Sequence, residues 1–234
     1  MSPRKKDEKL SEPAIVNASE KHEATLIWLH GQGETGTKWA KSWNEYVSKW
    51  LPQFKFICPH APGNTNLRWV EPKAPLDPTR SPEGTLETLA TWFQEKIEKE
   101  VKTCAFSEKR IYIGGQSEGA MVALYTLMKK RQRPLGGVVL MSAALPKPEK
   151  SVLELLEQEH VKETPFFCAQ GVFDEIVRQH DTDNTAKWMR RLPICSDFTY
   201  RIYPTDHNPE QMQLVEIGCF MKRRLYEKVL GIAW

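Results

Sequence analysis

Several features of membrane-spanning or nucleic-acid-binding proteins are missing from this 234-residue sequence. No apolar run approaches the roughly 18 residues that a membrane-spanning helix needs, and the mean hydropathy is −0.53. Lysine and arginine outnumber aspartate and glutamate by only 33 to 30, and both signs are dispersed along the chain. The charge therefore does not indicate a nucleic-acid partner.

Paired cysteines are also missing. The sequence has five cysteines, an odd number, and their spacing forms no pairs. They indicate neither a disulfide framework nor a metal-binding motif. Cys58 and Cys168 lie inside apolar, strand-like runs, so we expect buried free thiols there. The first residues show no signal peptide, and Ser2 stands where N-myristoylation needs glycine. We therefore expect a reduced, cytoplasmic protein without a metal or another cofactor.

Predicted strands and helices alternate along the chain, which is typical of a mostly parallel β-sheet with helices on both faces. The first residues are mostly polar or charged, so we expect a flexible tail over 1–22 and a single domain over 23–234. The predicted strands are 24–29, 54–58, 111–113, 135–143, 165–171 and 198–203, and the predicted helices are 37–51, 85–103, 117–133, 149–160, 181–191 and 208–229.

The motif around which the chain is organised is residues 115–119 (GQSEG), a G-x-S-x-G pattern between a predicted strand and a predicted helix. In that context the pattern predicts a nucleophile elbow, a sharp turn that exposes the serine above the sheet. Glycine on either side leaves room where strand and helix almost touch. The helix N-terminus favours negative charge that develops beside the hydroxyl. Ser117 is therefore the predicted nucleophile.

The position of each candidate relative to the strands selects a base and an acid, because functional groups of open α/β sheets gather beyond the carboxyl ends of the strands. His207 follows the last predicted strand and comes after Ser117, as the α/β-hydrolase order Ser, acid, His requires. Asp174 also follows a strand, whereas Asp197 precedes one. Asp206 adjoins His207 in sequence and could not easily reach its imidazole. The sequence therefore predicts a Ser117–Asp174–His207 triad.

Two loops are predicted to complete the site. The glycine-rich loop 30–36 follows a strand but lacks the phosphate-binding glycine patterns, so we expect an oxyanion hole formed by the backbone N–H groups of Gln32 and Glu118. A long proline-rich stretch over 59–84 is typical of a functional loop. Trp69 within it either lines a substrate channel or pins the loop to the surface, and the sequence favours neither.

Together these motifs resemble the acyl-protein thioesterase / phospholipase-carboxylesterase family of α/β-hydrolases over residues 24–228. The resemblance implies a cofactor-free, monomeric or weakly dimeric serine hydrolase that cleaves acyl thioesters or oxyesters. The leading interpretation is a thioesterase that removes long-chain acyl groups, such as S-palmitoyl, from proteins through an acyl-enzyme on Ser117. The resemblance also implies peripheral membrane contact through the substrate and an acyl channel involving Ile176, Val177 and the loop around Trp69. The segments that carry the resemblance are 29–36 (LHGQGETG), 58–62 (CPHAP), 114–120 (GGQSEGA), 171–177 (GVFDEIV) and the region around His207.

The chain departs from the family pattern without losing a catalytic atom. Gln116 replaces a frequent Phe and Glu118 replaces the usual Gln. Val172 and Glu175 replace an Asp and a Pro around the acid, and the glycine common before the histidine is missing. Two alternatives remain open: a carboxylesterase or lysophospholipase that acts on oxyesters, and a catalytically silent binding protein on a hydrolase fold.

Overall fold

The computed structural model describes residues 12–61, 68–69, 85–104, 106–143, 154–191 and 197–230. Over these residues the strands are β1 (Ala14–Val16), β2 (Ala24–Leu29), β3 (Phe54–Cys58), β4 (Ile111–Gln116), β5 (Gly137–Met141), β6 (Phe166–Gly171) and β7 (Phe198–Tyr203). The helices are α1 (Gly36–Tyr46), α2 (Thr85–Cys104), α3 (Glu118–Lys130), α4 (Glu159–Lys162), α5 (Gln179–Arg191) and α6 (Gln211–Leu230), with 3₁₀ turns at Ser48–Trp50 and Glu108–Arg110.

The strands form one sheet in the order β1-β3-β2-β4-β5-β6-β7. Strands β2 to β7 pair in parallel, and β1 pairs antiparallel with β3 at the edge. The runs of β2, β4, β5 and β6 are buried throughout, as expected for strands covered on both faces. The mostly parallel α/β sheet predicted from the sequence is therefore confirmed.

Two hydrophobic layers cover the faces of this sheet. Helices α2 and α3 pack on one face, where Ile27 and Leu29 of β2 point. Helices α1 and α6 pack on the other face, against the alternate β2 residue Trp28. The Trp28 ring lies 4.8 Å from Trp39 and 5.1 Å from Trp43, so the tryptophans of α1 are core residues. None of the described helices combines the length and apolar character needed to cross a lipid bilayer.

Part of the predicted tail over 1–22 is ordered in the sheet. Ala14 to Val16 pair antiparallel with Cys58 to Phe56, so this short apolar run covers the edge of β3. The prediction of a flexible segment is therefore wrong for these residues. Residues before 12 lie outside the described part of the chain.

Several predicted elements also differ in their bounds, and three of them are instructive. The helix predicted over 37–51 ends at Tyr46, and a separate 3₁₀ turn follows it. The strand predicted over 111–113 continues to Gln116, since its glycines fit the crowded centre of the sheet. The helix predicted over 149–160 is interrupted, with residues 154–156 and 159–162 helical on either side of a break. Residues 149–153 lie outside the described residues.

Candidate active site

Ser117 makes the turn between β4 and α3 alone. Its backbone has φ 52° and ψ −118°, a region that residues other than glycine rarely occupy. Two hydrogen bonds hold this conformation: its N–H donates to the Met141 carbonyl at 2.9 Å, and its carbonyl accepts from Met121 N–H at 3.2 Å. The serine is half-buried at the start of a helix, as a nucleophile elbow requires.

The two glycines of the motif allow α3 to touch β2. A Cβ on Gly115 would lie 2.5 Å from the Leu29 carbonyl oxygen, and a Cβ on Gly119 would lie 2.3 Å from the same atom. Real Cβ atoms do not approach backbone so closely, so a larger residue at either position would push the helix away. The first turn of α3 is therefore held against the end of β2, beside the loop that starts at His30.

The predicted acid and base meet beyond the paired strands β6 and β7. His207 Nδ1 lies 2.8 Å from Asp174 Oδ2, and the Asp174 side chain is fully buried. Backbone N–H groups of Ile176 and Val177 donate to Asp174 Oδ1 at 3.0 and 2.8 Å. The tight turn after β6 thus supplies its own donors and leaves Oδ2 facing the imidazole.

The loop that carries His207 is held from two sides. On the acid side, Phe173 N–H donates to the Thr205 carbonyl at 3.0 Å. On the nucleophile side, the Gln116 amide Nε2 donates to the His207 carbonyl at 2.6 Å. The residue before Ser117 is thereby bonded to the main chain of the predicted base.

The loop after β2 has the geometry of a tight turn. Glu34 N–H donates to the Gly31 carbonyl at 3.2 Å, and Gly33 supplies the positive φ of 78° that such a turn needs. The buried His30 ring braces it, with Nδ1 2.7 Å from the Gly31 carbonyl and Nε2 accepting from Ala61 N–H at 3.1 Å.

Burial lowers the pKa of His30, which keeps the ring neutral, as the accepting Nε2 requires. Gln32 is exposed at the tip of this turn. Glu118, at the first position of α3, carries one of the N–H groups that have no acceptor within the helix. The assignment of both as oxyanion donors remains a prediction.

The Glu118 side chain takes part in a contact that sequence reasoning missed. Its Oε1 accepts from Arg68 Nε at 3.1 Å and from Arg68 Nη2 at 2.8 Å, and its Oε2 accepts from Trp69 N–H at 3.2 Å. The Glu118 side chain is 3% exposed and that of Arg68 25% exposed. The carboxylate thus anchors residues 68–69 to the start of α3. Arg68 and Glu118 are 50 positions apart in the sequence, so no local pattern predicts their contact. The one hint in the sequence is that Glu118 stands where the family usually has a neutral Gln.

The three residues predicted to contact substrate differ in their exposure to solvent. Trp69 is 3% exposed, and its indole N–H donates to the His30 carbonyl at 2.7 Å. This burial fits the anchoring role, and the channel-lining role of Trp69 stays a prediction. Ile176 is 73% exposed and Val177 half-buried, both on the turn that binds Asp174. Other residues of the 59–84 loop, from 62 to 67 and from 70 to 84, lie outside the described part.

One cluster in the described residues brings together side chains that could bind a metal ion. Ligand atoms of His22, Glu100 and Cys104 all lie within 4.8 Å of one another. However, Lys55 Nζ lies 3.0 Å from both Glu100 oxygens, and Thr25 Oγ1 donates to Oε1 at 2.8 Å. The ammonium group already supplies the positive charge at this carboxylate. The cluster is better explained as an ion pair that joins α2 to the sheet.

Comparison with known proteins agrees with this geometry. The phospholipase/carboxylesterase family model matches residues 10–224. The chain belongs to this family. Membership makes it a hydrolase with the α/β-hydrolase fold, and the resemblance seen in the sequence is confirmed.

Members of the family from fungi align over much of the chain. Acyl-protein thioesterase 1 of Neurospora crassa is 29% identical over 232 residues and covers 91% of each chain. Acyl-protein thioesterase 1 of Cryptococcus neoformans is 32% identical over 178 residues, which are 69% of this chain and 71% of the relative.

Solved structures share the fold at lower identity. Arabidopsis thaliana SOBER1 superposes with a TM-score of 0.71 at 21% identity, covering 86% of this chain and 99% of the other. Esterase PE8 superposes with a TM-score of 0.75 at 20% identity, covering 91% and 98%.

Proposed function

We propose that this protein is a serine hydrolase that removes long-chain acyl groups, such as S-palmitoyl, from proteins. The observation that carries the proposal is the strained turn at Ser117 and its link to His207. The neighbour of Ser117, Gln116, donates a hydrogen bond to the His207 carbonyl, and the His207 ring is paired with the buried Asp174. This arrangement combines a nucleophile, a base and an orienting acid in the order typical of α/β-hydrolases. It also argues against a silent binding protein, which would not need it.

In the proposed mechanism, Ser117 Oγ attacks the acyl carbonyl while His207 Nε2 takes its proton. His207 then gives the proton to the leaving thiol, and the acyl group remains on Ser117. Water, deprotonated by His207, hydrolyses this acyl-enzyme. Asp174 holds Nδ1–H of the imidazole and stabilises its cation.

Two backbone N–H groups, of Gln32 and Glu118, are proposed to bind the oxyanion of each tetrahedral intermediate. Their placement fits the packing of α3 against the loop after β2. Removing one such donor costs about 3–4 kcal/mol in comparable sites. Because both are backbone groups, substitutions at these positions test the loop geometry rather than the donors themselves.

The thioester substrate is supported by the fungal relatives, which are named acyl-protein thioesterases. Apolar Phe173 and Ile176 are 65% and 73% exposed on the turn around Asp174, where an acyl chain could contact them. Val177 follows on the same turn. A carboxylesterase or lysophospholipase acting on oxyesters is the second candidate, favoured by the description of the family.

We also propose where and in what form the protein acts. The free thiols of Cys58, Cys104 and Cys168 fit a reducing compartment, which supports the cytoplasm. A monomer or weak homodimer, with membrane contact through the acylated substrate, follows from the family resemblance. The small and dispersed net charge argues against a nucleic-acid partner. We propose a single domain whose boundary lies before Ala14 rather than at residue 23, because β1 belongs to the sheet.

The test is a matched series of acyl thioesters and oxyesters of increasing chain length, with Ser117→Ala as the control. A kcat/KM that is highest for long-chain thioesters supports the proposal. A preference for oxyesters identifies the second candidate instead. Absence of turnover on every ester, with no fluorophosphonate adduct on Ser117, would leave only a binding protein.

A further inference from the structure

Gln116, the last residue of β4, occupies a position between two loops of the site. Its side chain is buried, with 2% of the residue exposed. The amide Nε2 lies 2.6 Å from the His207 carbonyl oxygen. A carbonyl only accepts hydrogen bonds, so the nitrogen of the amide must face it. The contact therefore fixes the orientation of the amide.

The oxygen end of the same amide faces the loop after β2. A Cβ on Gly31 would lie 2.9 Å from Gln116 Oε1, so this oxygen packs directly against the Gly31 backbone. Within the described residues, Oε1 has no hydrogen-bond partner. A buried acceptor without a partner is unfavourable for stability, and an apolar side chain of the same size would avoid that cost. The favourable contribution of the amide is thus its bond to His207.

We propose that Gln116 is a positioning residue for the general base. Asp174 holds the imidazole ring, and Gln116 holds the main chain that carries it. Because Gln116 directly precedes Ser117, the bond sets the distance between nucleophile and base. This inference rests on the proposed function, in which His207 accepts the Ser117 proton. Displacements near 1 Å can cost about a hundredfold in rate.

The test is Gln116→Met, which keeps the length of the side chain and removes the donor. We expect kcat for a p-nitrophenyl ester to fall by about tenfold or more, within the range known for misplaced groups. KM should stay nearly unchanged, because the substituted side chain is buried. The rate at which a fluorophosphonate probe labels Ser117 should fall in parallel, since labelling also needs the base.

Thr126→Val is the matched control. Thr126 lies in α3, is fully buried and donates one hydrogen bond to the Val122 carbonyl at 2.8 Å. Its replacement also removes a single buried donor, but away from the site. We expect a lower Tm with wild-type kcat and labelling rate. The comparison separates lost positioning from lost stability.

A Gln116→Met variant with wild-type kcat and labelling rate would overturn the inference, as would a loss of kcat that Thr126→Val reproduces. If Gln116→Met does not fold, Gln116→Leu, which also lacks the donor, takes its place with the same expectations. Failure of the proposed function is recognised separately, since the wild-type protein would then not label at Ser117.

Discussion

The carboxylate of Asp174, the proposed acid of the triad, is held by hydrogen bonds on both of its oxygens. Oδ1 accepts from two backbone N–H groups, and Oδ2 accepts from His207 and, at 3.3 Å, from Gln170 Nε2. The donors on Oδ1 prevent the carboxylate from rotating. Oδ2 is therefore held toward the imidazole.

Asp174→Asn tests this arrangement. The Asn oxygen should keep the two backbone donors, so its NH₂ group must face His207 and favour the wrong tautomer. We expect an intact fold and a kcat lower by about 10³–10⁴. Steady-state kinetics and circular dichroism measure both. Asp206→Asn is the control, because Asp206 is exposed and its carboxylate accepts a local hydrogen bond from Asn208 N–H at 2.7 Å. Near-normal turnover of Asp174→Asn would remove Asp174 from the mechanism.

At the scale of elements, the site depends on contacts that join distant segments. The Glu118 carboxylate bonds α3 to residues 68–69, and Trp69 in turn bonds the His30 carbonyl at the end of β2. Helix α3, the loop after β2 and residues 68–69 of the 59–84 loop are thus joined by hydrogen bonds. The Glu118 carboxylate beside the elbow is buried and paired with Arg68.

The substitution Glu118→Gln should therefore lower the stability of the fold more than it changes the preference for charged or neutral substrates. The variant leaves the Arg68 guanidinium without its anion, and we expect a lower free energy of unfolding. Removing one partner of a buried pair costs about 3–5 kcal/mol, and partial exposure of Arg68 places this loss below that range. The measurement is a double-mutant cycle with Arg68→Gln, in urea. We expect the double variant to be more stable than the sum of the single losses predicts; strictly additive losses would show that the pair does not interact.

The limits of prediction from sequence follow from the same contacts. Apolar runs predicted the strands β2 and β3, and glycine spacing predicted the elbow at Ser117, because these patterns are local. Asp174 and His207 were selected because each follows a predicted strand and comes after Ser117. The partners of Gln116 and Glu118 lie 91 and 50 positions away, and neither pattern contains that information. Strand β1 was missed since three apolar residues in a polar segment do not form a periodic run.

At the scale of the whole molecule, Glu100 joins a helical layer to the sheet. This α2 residue accepts hydrogen bonds from Lys55 on β3 and Thr25 on β2. Burial opposes ionisation, but hydrogen bonds from Lys55, Thr25 and Cys104 outweigh it and lower the pKa of Glu100. A carboxyl group whose pKa is lower in the folded state stabilises that state at pH values above its unfolded-state pKa, and this stabilisation is lost as the pH falls through the folded-state pKa.

This linkage predicts how stability depends on pH. Glu100→Gln should be less stable than wild type at pH 7, and the difference should shrink as the pH falls below about 4.3, the value for Glu in an unfolded chain. Urea titrations of both proteins between pH 7 and pH 3 measure the difference. A difference that stays constant over this range would mean that the charge of Glu100 contributes nothing to folding.

The three-residue strand β1 also covers part of an edge of the sheet. An uncovered edge strand presents a row of unpaired N–H and C=O groups, with which a strand of another chain can form hydrogen bonds. β3 carries two buried phenylalanines between half-buried residues, a pattern suited to such growth. Ala14 to Val16 occupy that edge from Phe56 to Cys58. β1 is then the edge strand, and its three residues offer little backbone for another chain to pair with. We therefore expect that cleavage after Val16, which would expose the longer β3, increases strand-paired self-association.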